Sequence, residues 1–236
     1  MPQPHSNRNN KIKLLKFKSK YISEEKFPAL PQEYENRLQV VMHTGYLLFI
    51  RNKFLFLGFI KSIEDKNLYV SYAILKSYWE NVTAFGYYCI KEEELIQKGE
   101  TKKAFELSRK MGLGGRGFLT EEMVNNKGRI MDDFKTPHIY TMMDFVDSDV
   151  KKIFDISSLF RELYDQQIAE GGHTTYVGLS IAGRWTKDKN ALIPDINKSW
   201  DRFESASLLN LAALSSNIFF YYWDKFKKLE EINLIQ

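Results

Sequence analysis

The chain has 236 residues, 44% of them hydrophobic and 27% charged, with a net charge of +4. That composition supports a buried core and excludes a disordered polyelectrolyte. Arg8, Lys11, Lys13, Lys16, Lys18 and Lys20 fall before any acidic residue, and without them 28 bases face 30 acids. The body is therefore near neutrality, without the broad positive field of a non-specific nucleic-acid binder.

Residues 1–27 read as a basic, flexible tail able to meet phosphates or anionic lipid. Residues 28–236 read as one α-helical domain. A lone cysteine, Cys89, excludes an intramolecular disulfide and a Cys-based zinc cluster and fits a cytoplasmic setting. No apolar signal core follows the basic start.

In chain order, Pro31 and the acids after it open a long helix. Its stripe is Leu38, Val41, Met42, Gly45 and Leu48, and it runs to about Ile60. A second long helix follows with Ser62 as N-cap and the stripe Tyr72, Leu75, Trp79, Val82 and Phe85, completing a helical hairpin. Helices are also predicted over Thr101–Met111, after Thr120, after Thr136-Pro137, and from Asp149 to Gly171. The last of these carries the stripe Ile153, Ile156, Leu159, Phe160 and Leu163.

"TYVGLSIAGRW" reads as another helix, and a final one runs from about Asp195 to Ile232. With no alternating strand run and no repeat, the fold class is all-α, a bundle of six to eight helices. "HTGYLLFIRNKFLFLGFI" is broken by Arg51 and Lys53, and Ser205–Trp223 carries four serines and two asparagines. Both read as core helices rather than membrane spans, so no stable membrane insertion is expected.

Candidate chemistry is sparse. "GLGGRG", Gly112–Gly117, follows a helix rather than a strand and lacks the Gly-Lys-Ser/Thr ending of a nucleotide loop, so it reads as a connection. His43 follows Arg37 by six residues, yet on a helix six residues turn through about 600° and leave the side chains about 120° apart. His138 reads as a helix-start contact. Asp144, Asp147 and Asp149 read as helix-end acids, and Glu92, Glu93 and Glu94 as a solvated charge run. No metal or cofactor is expected.

His173 stands behind Gly171 and Gly172 at a helix C-terminus, where the dipole raises its proton affinity. Tyr164, Arg161 and Arg184 approach it if the flanking segments form a hairpin. A histidine, an arginine and hydroxyls suffice for phosphate chemistry, and equally for a structural turn.

"YVSYAILKSYWENVTAFGYY", "TPHIYTMMDFV" and "SLFRELYDQQIAEGGHTTYVGL" resemble, in order and spacing, a family of uncharacterised bacterial helical proteins. Its signature, Tyr…Leu-Ser…His-Pro-Ser at a helix-to-helix turn, is similar to abortive-infection (AbiV-like) and HEPN-type bundles. The resemblance spans Gln32 to Trp185 and matches Tyr164 and His173. Ala169 stands where serine is expected, and Thr174 and Thr175 replace Pro-Ser.

The resemblance implies a HEPN-like protein of bacterial or phage defence, toxin-antitoxin or mobile-element biology that binds or cleaves RNA. His173 would be the acid/base, Arg161 or Arg184 the phosphate partner, and Tyr164 an accessory hydroxyl. Two alternatives stay open: a non-catalytic interaction module that forms a homodimer, and a bundle holding an apolar ligand between aromatic-rich helices.

Overall fold

The computed structural model describes residues 4–24, 37–113, 135–154, 159–169, 183–188, 190–194 and 202–233. The elements are α1 (Pro4–Ser23), α2 (Arg37–Glu64), α3 (Leu68–Gln97), α4 (Thr101–Leu113), α5 (Ile139–Phe154), α6 (Leu159–Leu163) and α7 (Arg202–Asn233). A π-helical turn, Tyr164–Ala169, extends α6. Among the described residues the fold is thus an all-α bundle, with one small hairpin of β1 (Gly183–Trp185) and β2 (Leu192–Pro194).

The long pair α2 and α3 pack antiparallel along the stripes that their periodicity marks. Val41, Leu75, Trp79, Val82 and Phe85 are all fully buried. The turn between the helices does not use Ser62, which lies inside α2 with its hydroxyl donating to the Phe59 carbonyl at 2.7 Å. Lys66, at φ +56°, ends α2 in the left-handed conformation, and Asn67 caps α3 by accepting from the Val70 N–H at 3.1 Å. Ser62 belongs to the core face, and Asn67 is the first polar side chain free to turn back on the backbone.

α7 packs against α1, α2 and α3. The uncharged run read as a central helix is that: Leu208, Ala212, Ser215, Ser216, Phe219, Tyr222 and Trp223 are buried along it. No helix among the described residues is long and apolar enough to cross a membrane.

Three expectations are corrected. The stretch read as a flexible tail contains α1, whose Leu14 and Tyr21 are buried and whose Phe17 stacks on Phe220 at 5.7 Å. The physical reason is an i, i+3, i+7 apolar stripe, Leu14, Phe17 and Tyr21, that the mostly polar composition of the helix hides. The helix predicted to open at Asp149 is two elements, because Asp149 lies inside α5; Ile153, placed in its buried stripe, is 41% exposed.

Finally, "AGRW" ends in a strand rather than continuing a helix. β1 and β2 pair with Arg184 opposite Ile193. Asp188 shapes the turn by accepting from the Thr186 hydroxyl at 2.5 Å and the Asn190 N–H at 3.3 Å, which holds its carboxyl below the usual range.

Helix spacing depends on two glycines. A Cβ on Gly45 would stand 2.2 Å from Phe226 Cζ, and one on Gly86 would stand 2.7 Å from Tyr222 Cε2, so both α2 and α3 approach α7 where a side chain is missing. Phe226 is 1% exposed and its ring has nowhere to retreat. Gly45→Ala is expected to destabilise the protein by about 1–3 kcal/mol in urea unfolding; an unchanged midpoint would contradict this close approach.

Candidate functional site

Of the residues proposed for phosphate chemistry, His173 lies outside the described residues. Arg184 is placed on β1 by its backbone alone. Arg161 and Tyr164 are described, three residues apart where α6 passes into the π-helical turn, and so share one helix face.

The fold seats this turn firmly. Phe160 is buried against Trp79 at 4.5 Å between rings, and the Trp79 indole N–H donates to its carbonyl at 3.3 Å. Asp147, from α5, accepts from the Phe160 N–H at 2.6 Å and the Arg161 N–H at 3.0 Å. It thereby caps the N-terminus of α6 from another helix, satisfying donors that a short helix cannot satisfy itself.

The functional side chains are already engaged. Tyr164 is 3% exposed, and its hydroxyl donates to Glu80 at 2.5 Å. Glu80 is also 3.3 Å from Lys76. Burial, with Glu80 adding to it, raises the Tyr164 pKa strongly, so this phenol keeps its proton and is no base. Arg161 holds the Asp144 carboxylate at 2.7 Å, lies 4.0 Å from Asp165, and sits over the Tyr140 ring at 4.8 Å. Four carboxylates, Glu80, Asp144, Asp147 and Asp165, and two cations, Arg161 and Lys76, therefore surround the turn, a balance that does not favour a phosphate.

The remaining candidates separate. His43 is half-buried with Nε2 enclosed and unpartnered, its proton affinity lowered by desolvation, while Arg37 is exposed. They form no pair. His138 accepts from the Tyr140 N–H at 3.3 Å, the helix-start contact expected of it. Thr136, whose hydroxyl could cap the helix that follows, instead donates to the Lys110 carbonyl at 3.0 Å and ties the chain to α4.

Asp144, Asp147 and Asp149 serve three different partners: Arg161, the α6 N-terminus and the Tyr222 hydroxyl. No metal-holding cluster occurs among the described residues. The Gly112–Gly117 segment is described only as far as the end of α4, and the rest of it lies outside the described residues.

One charge-run reading is overturned. Glu92 is 1% exposed, with Ser108 beside its Oε1 at 3.0 Å. The signal was present in the sequence, because residues 75, 78, 82, 85, 89 and 92 continue a single three-four stripe.

Two surfaces stand out. α1 carries Lys13, Lys16 and Lys20 exposed at i, i+3 and i+7, with no acid anywhere on the helix. On α2, Leu47 and Phe54 are 46% and 69% exposed, and with half-buried Ile50 and Leu57 they make an outward three-four-three apolar row. Between α3 and α4 lies an open cleft of 270 Å³ lined by Tyr87, Lys91, Leu95, Lys103, Glu106, Leu107 and Lys110, a charged surface groove rather than an enclosed apolar chamber.

The architecture defines an all-α bundle protein. Compared with protein-family models, curated proteins and solved structures, the chain matches none.

Asp147→Ala is expected to cost about 2 kcal/mol, since it strips the buried Phe160 N–H and the part-buried Arg161 N–H of their acceptor. Thermal unfolding checks this. A change within 0.5 kcal/mol would mean that α6 is capped some other way.

Proposed function

We propose that this protein binds RNA, with the lysine face of α1 as its phosphate contact. The observation that carries the reading is that the most basic segment of the chain is a docked helix. Leu14, Phe17 and Tyr21 hold one side of α1 against the bundle, and Lys13, Lys16 and Lys20, each one residue earlier, line the exposed flank about 100° around the helix. A fixed array pays less ordering entropy on binding a polyanion than a floppy tail does.

These three lysines span about 10 Å along the helix axis, the reach of a few nucleotides. Lys20 is shared with Asp224 at 3.6 Å, an exposed pair that a phosphate can replace at little cost. RNA is favoured over a lipid surface because the apolar stripe of α1 faces inward. Among the described side chains of α1 only Leu15 and Ile22 are apolar and exposed, too few for interfacial insertion. The HEPN-like resemblance points to the same target. Under it, His173, Arg161, Arg184 and Tyr164 remain the candidates for cleavage.

Fluorescence anisotropy with a short single-stranded RNA tests the reading. Wild type is expected to bind with a steep salt dependence, and Lys13→Gln/Lys16→Gln/Lys20→Gln to flatten the slope of log K against log salt by about 2. Equal binding by the variant, or binding only to anionic vesicles, would overturn it.

Gels of the same incubations without added metal read cleavage, which His173→Ala abolishes if the site is catalytic. Light scattering reads the interaction-module alternative. If RNA is not bound and the protein is a dimer that Phe54→Glu splits, self-association through the α2 row takes the place of RNA binding.

A further inference from the structure

Hydroxyl protons can be counted through the buried cluster that joins α2, α3 and α4. Tyr88 Oη lies 2.6 Å from the Val41 carbonyl and 2.8 Å from Ser108 Oγ, and Ser108 Oγ lies 3.0 Å from Glu92 Oε1. All four residues are buried. Three contacts need three protons, yet tyrosine and serine bring one each.

The Val41 carbonyl can only accept, so Tyr88 gives its proton there. The Tyr88–Ser108 contact then takes the serine proton. The Ser108–Glu92 contact has none left unless the carboxyl itself supplies it.

We infer that Glu92 is a neutral carboxylic acid in the folded protein, that its proton completes the chain Glu92 → Ser108 → Tyr88 → Val41 carbonyl, and that its ionisation releases α4 from the α2–α3 pair. When the proton leaves to solvent, Ser108 must turn its own hydroxyl to the carboxylate. Tyr88 Oη and Ser108 Oγ are then left facing each other without a hydrogen between them. The remaining oxygen, Glu92 Oε2, is enclosed with no partner, which a neutral carbonyl tolerates far better than half a carboxylate does.

Burial outweighs the Ser108 and Tyr88 hydroxyls, which by themselves favour the carboxylate. On α3, burial raises both Tyr88 and Cys89, and a charge on Glu92 would add to each. Glu93, next in the chain, is committed to Lys225 of α7 at 3.1 Å. α4 contributes neutral Ser108; α2 contributes the Val41 carbonyl and, against Tyr88, Thr44, with half-buried His43 two residues from Val41. Among the described residues no cationic nitrogen lies within ion-pair distance of Glu92, and burial pushes its carboxyl up to about 8.

Because the folded value exceeds the unfolded one, the stabilisation is complete in acid. It drains away as pH rises from the ordinary glutamate range to about 8, and is flat above.

NMR titration of wild-type protein carrying ¹³C-labelled glutamate carboxyls tests the inference directly. One resonance is expected to titrate with a midpoint near 8 while the others titrate as ordinary glutamates. Glu92→Gln, whose amide N–H₂ can donate to Ser108 permanently, is expected to lose this resonance. The melting temperature of wild type relative to this variant should fall by about 3 °C per pH unit between pH 5 and 8.

Amide exchange in α4, corrected for its intrinsic base catalysis, should rise above pH 8 in wild type and stay low in the variant. Glutamate carboxyls that all titrate below pH 6 would overturn the inference, as would α4 exchange with the same pH dependence in both proteins. The wild-type titration decides the matter even if the variant fails to fold.

Discussion

Five buried side chains form one directional hydrogen-bonded chain through the middle of this bundle. Asn81 donates to the Asn52 carbonyl oxygen at 3.0 Å and to the Leu48 carbonyl at 3.1 Å, and Asn52 donates to the Tyr21 hydroxyl at 2.6 Å. Tyr21 lies 2.9 Å from Tyr78, Tyr78 lies 2.8 Å from Ser216, and Ser216 donates to the Ala212 carbonyl at 2.7 Å. Ser216 spends its only proton on Ala212, so Tyr78 must donate to Ser216 and Tyr21 to Tyr78.

The five links come from four long helices, Tyr21 from α1, Asn52 from α2, Tyr78 and Asn81 from α3 and Ser216 from α7. Unpaired, any of these groups would cost about 1–3 kcal/mol in the dry interior. The chain therefore adds modest net stability but selects one arrangement of four helices, and it gives α1 a fixed place. Around it the aromatic residues close ranks, with Tyr21 within 6 Å of the rings of Phe49, Phe56, Phe219 and Phe220.

The second polar cluster, Glu92–Ser108–Tyr88, differs from the first in one respect. The first is closed by neutral donors alone, so the seat of α1 does not depend on pH. The second borrows a carboxyl proton, so the seat of α4 does. The bundle thus has a pH-indifferent side that presents lysines and a pH-dependent side where α4 packs on α2 and α3. His43, with its enclosed and unpartnered Nε2, stands on α2 within a turn of Thr44, which packs beside Gly112 of α4.

What the sequence disclosed follows from how its signals are distributed. α2, α3 and α7 are legible because their buried residues recur at three and four over seven or more turns, strong enough to outvote Asn52, Asn81 and Ser216 inside them. α1 is not legible, because Leu14, Phe17 and Tyr21 are diluted by six bases and their complement lies some 200 residues away on α7. Ser62 and Thr136 have cap chemistry, but whether a hydroxyl caps is decided by which way its helix faces.

The candidate site was half legible. Arg161 and Tyr164 lie together as their spacing implies, whereas Asp144, Asp147 and Glu80, which occupy them, come from other helices and are invisible to local pattern. Glu92 is disguised by the two glutamates that follow it, although the stripe through Cys89 runs straight to it.

The claim on which the functional account depends is that α1 is a docked element rather than a tail. Native-state amide hydrogen exchange of the full chain measures this directly. The account predicts protection from Leu14 to Tyr21 well above the random-coil rate, and loss of that protection in Asn52→Leu, which leaves the Tyr21 hydroxyl without its donor while α3 and α7 stay protected. Exchange of these amides at random-coil rates in the wild type would contradict it.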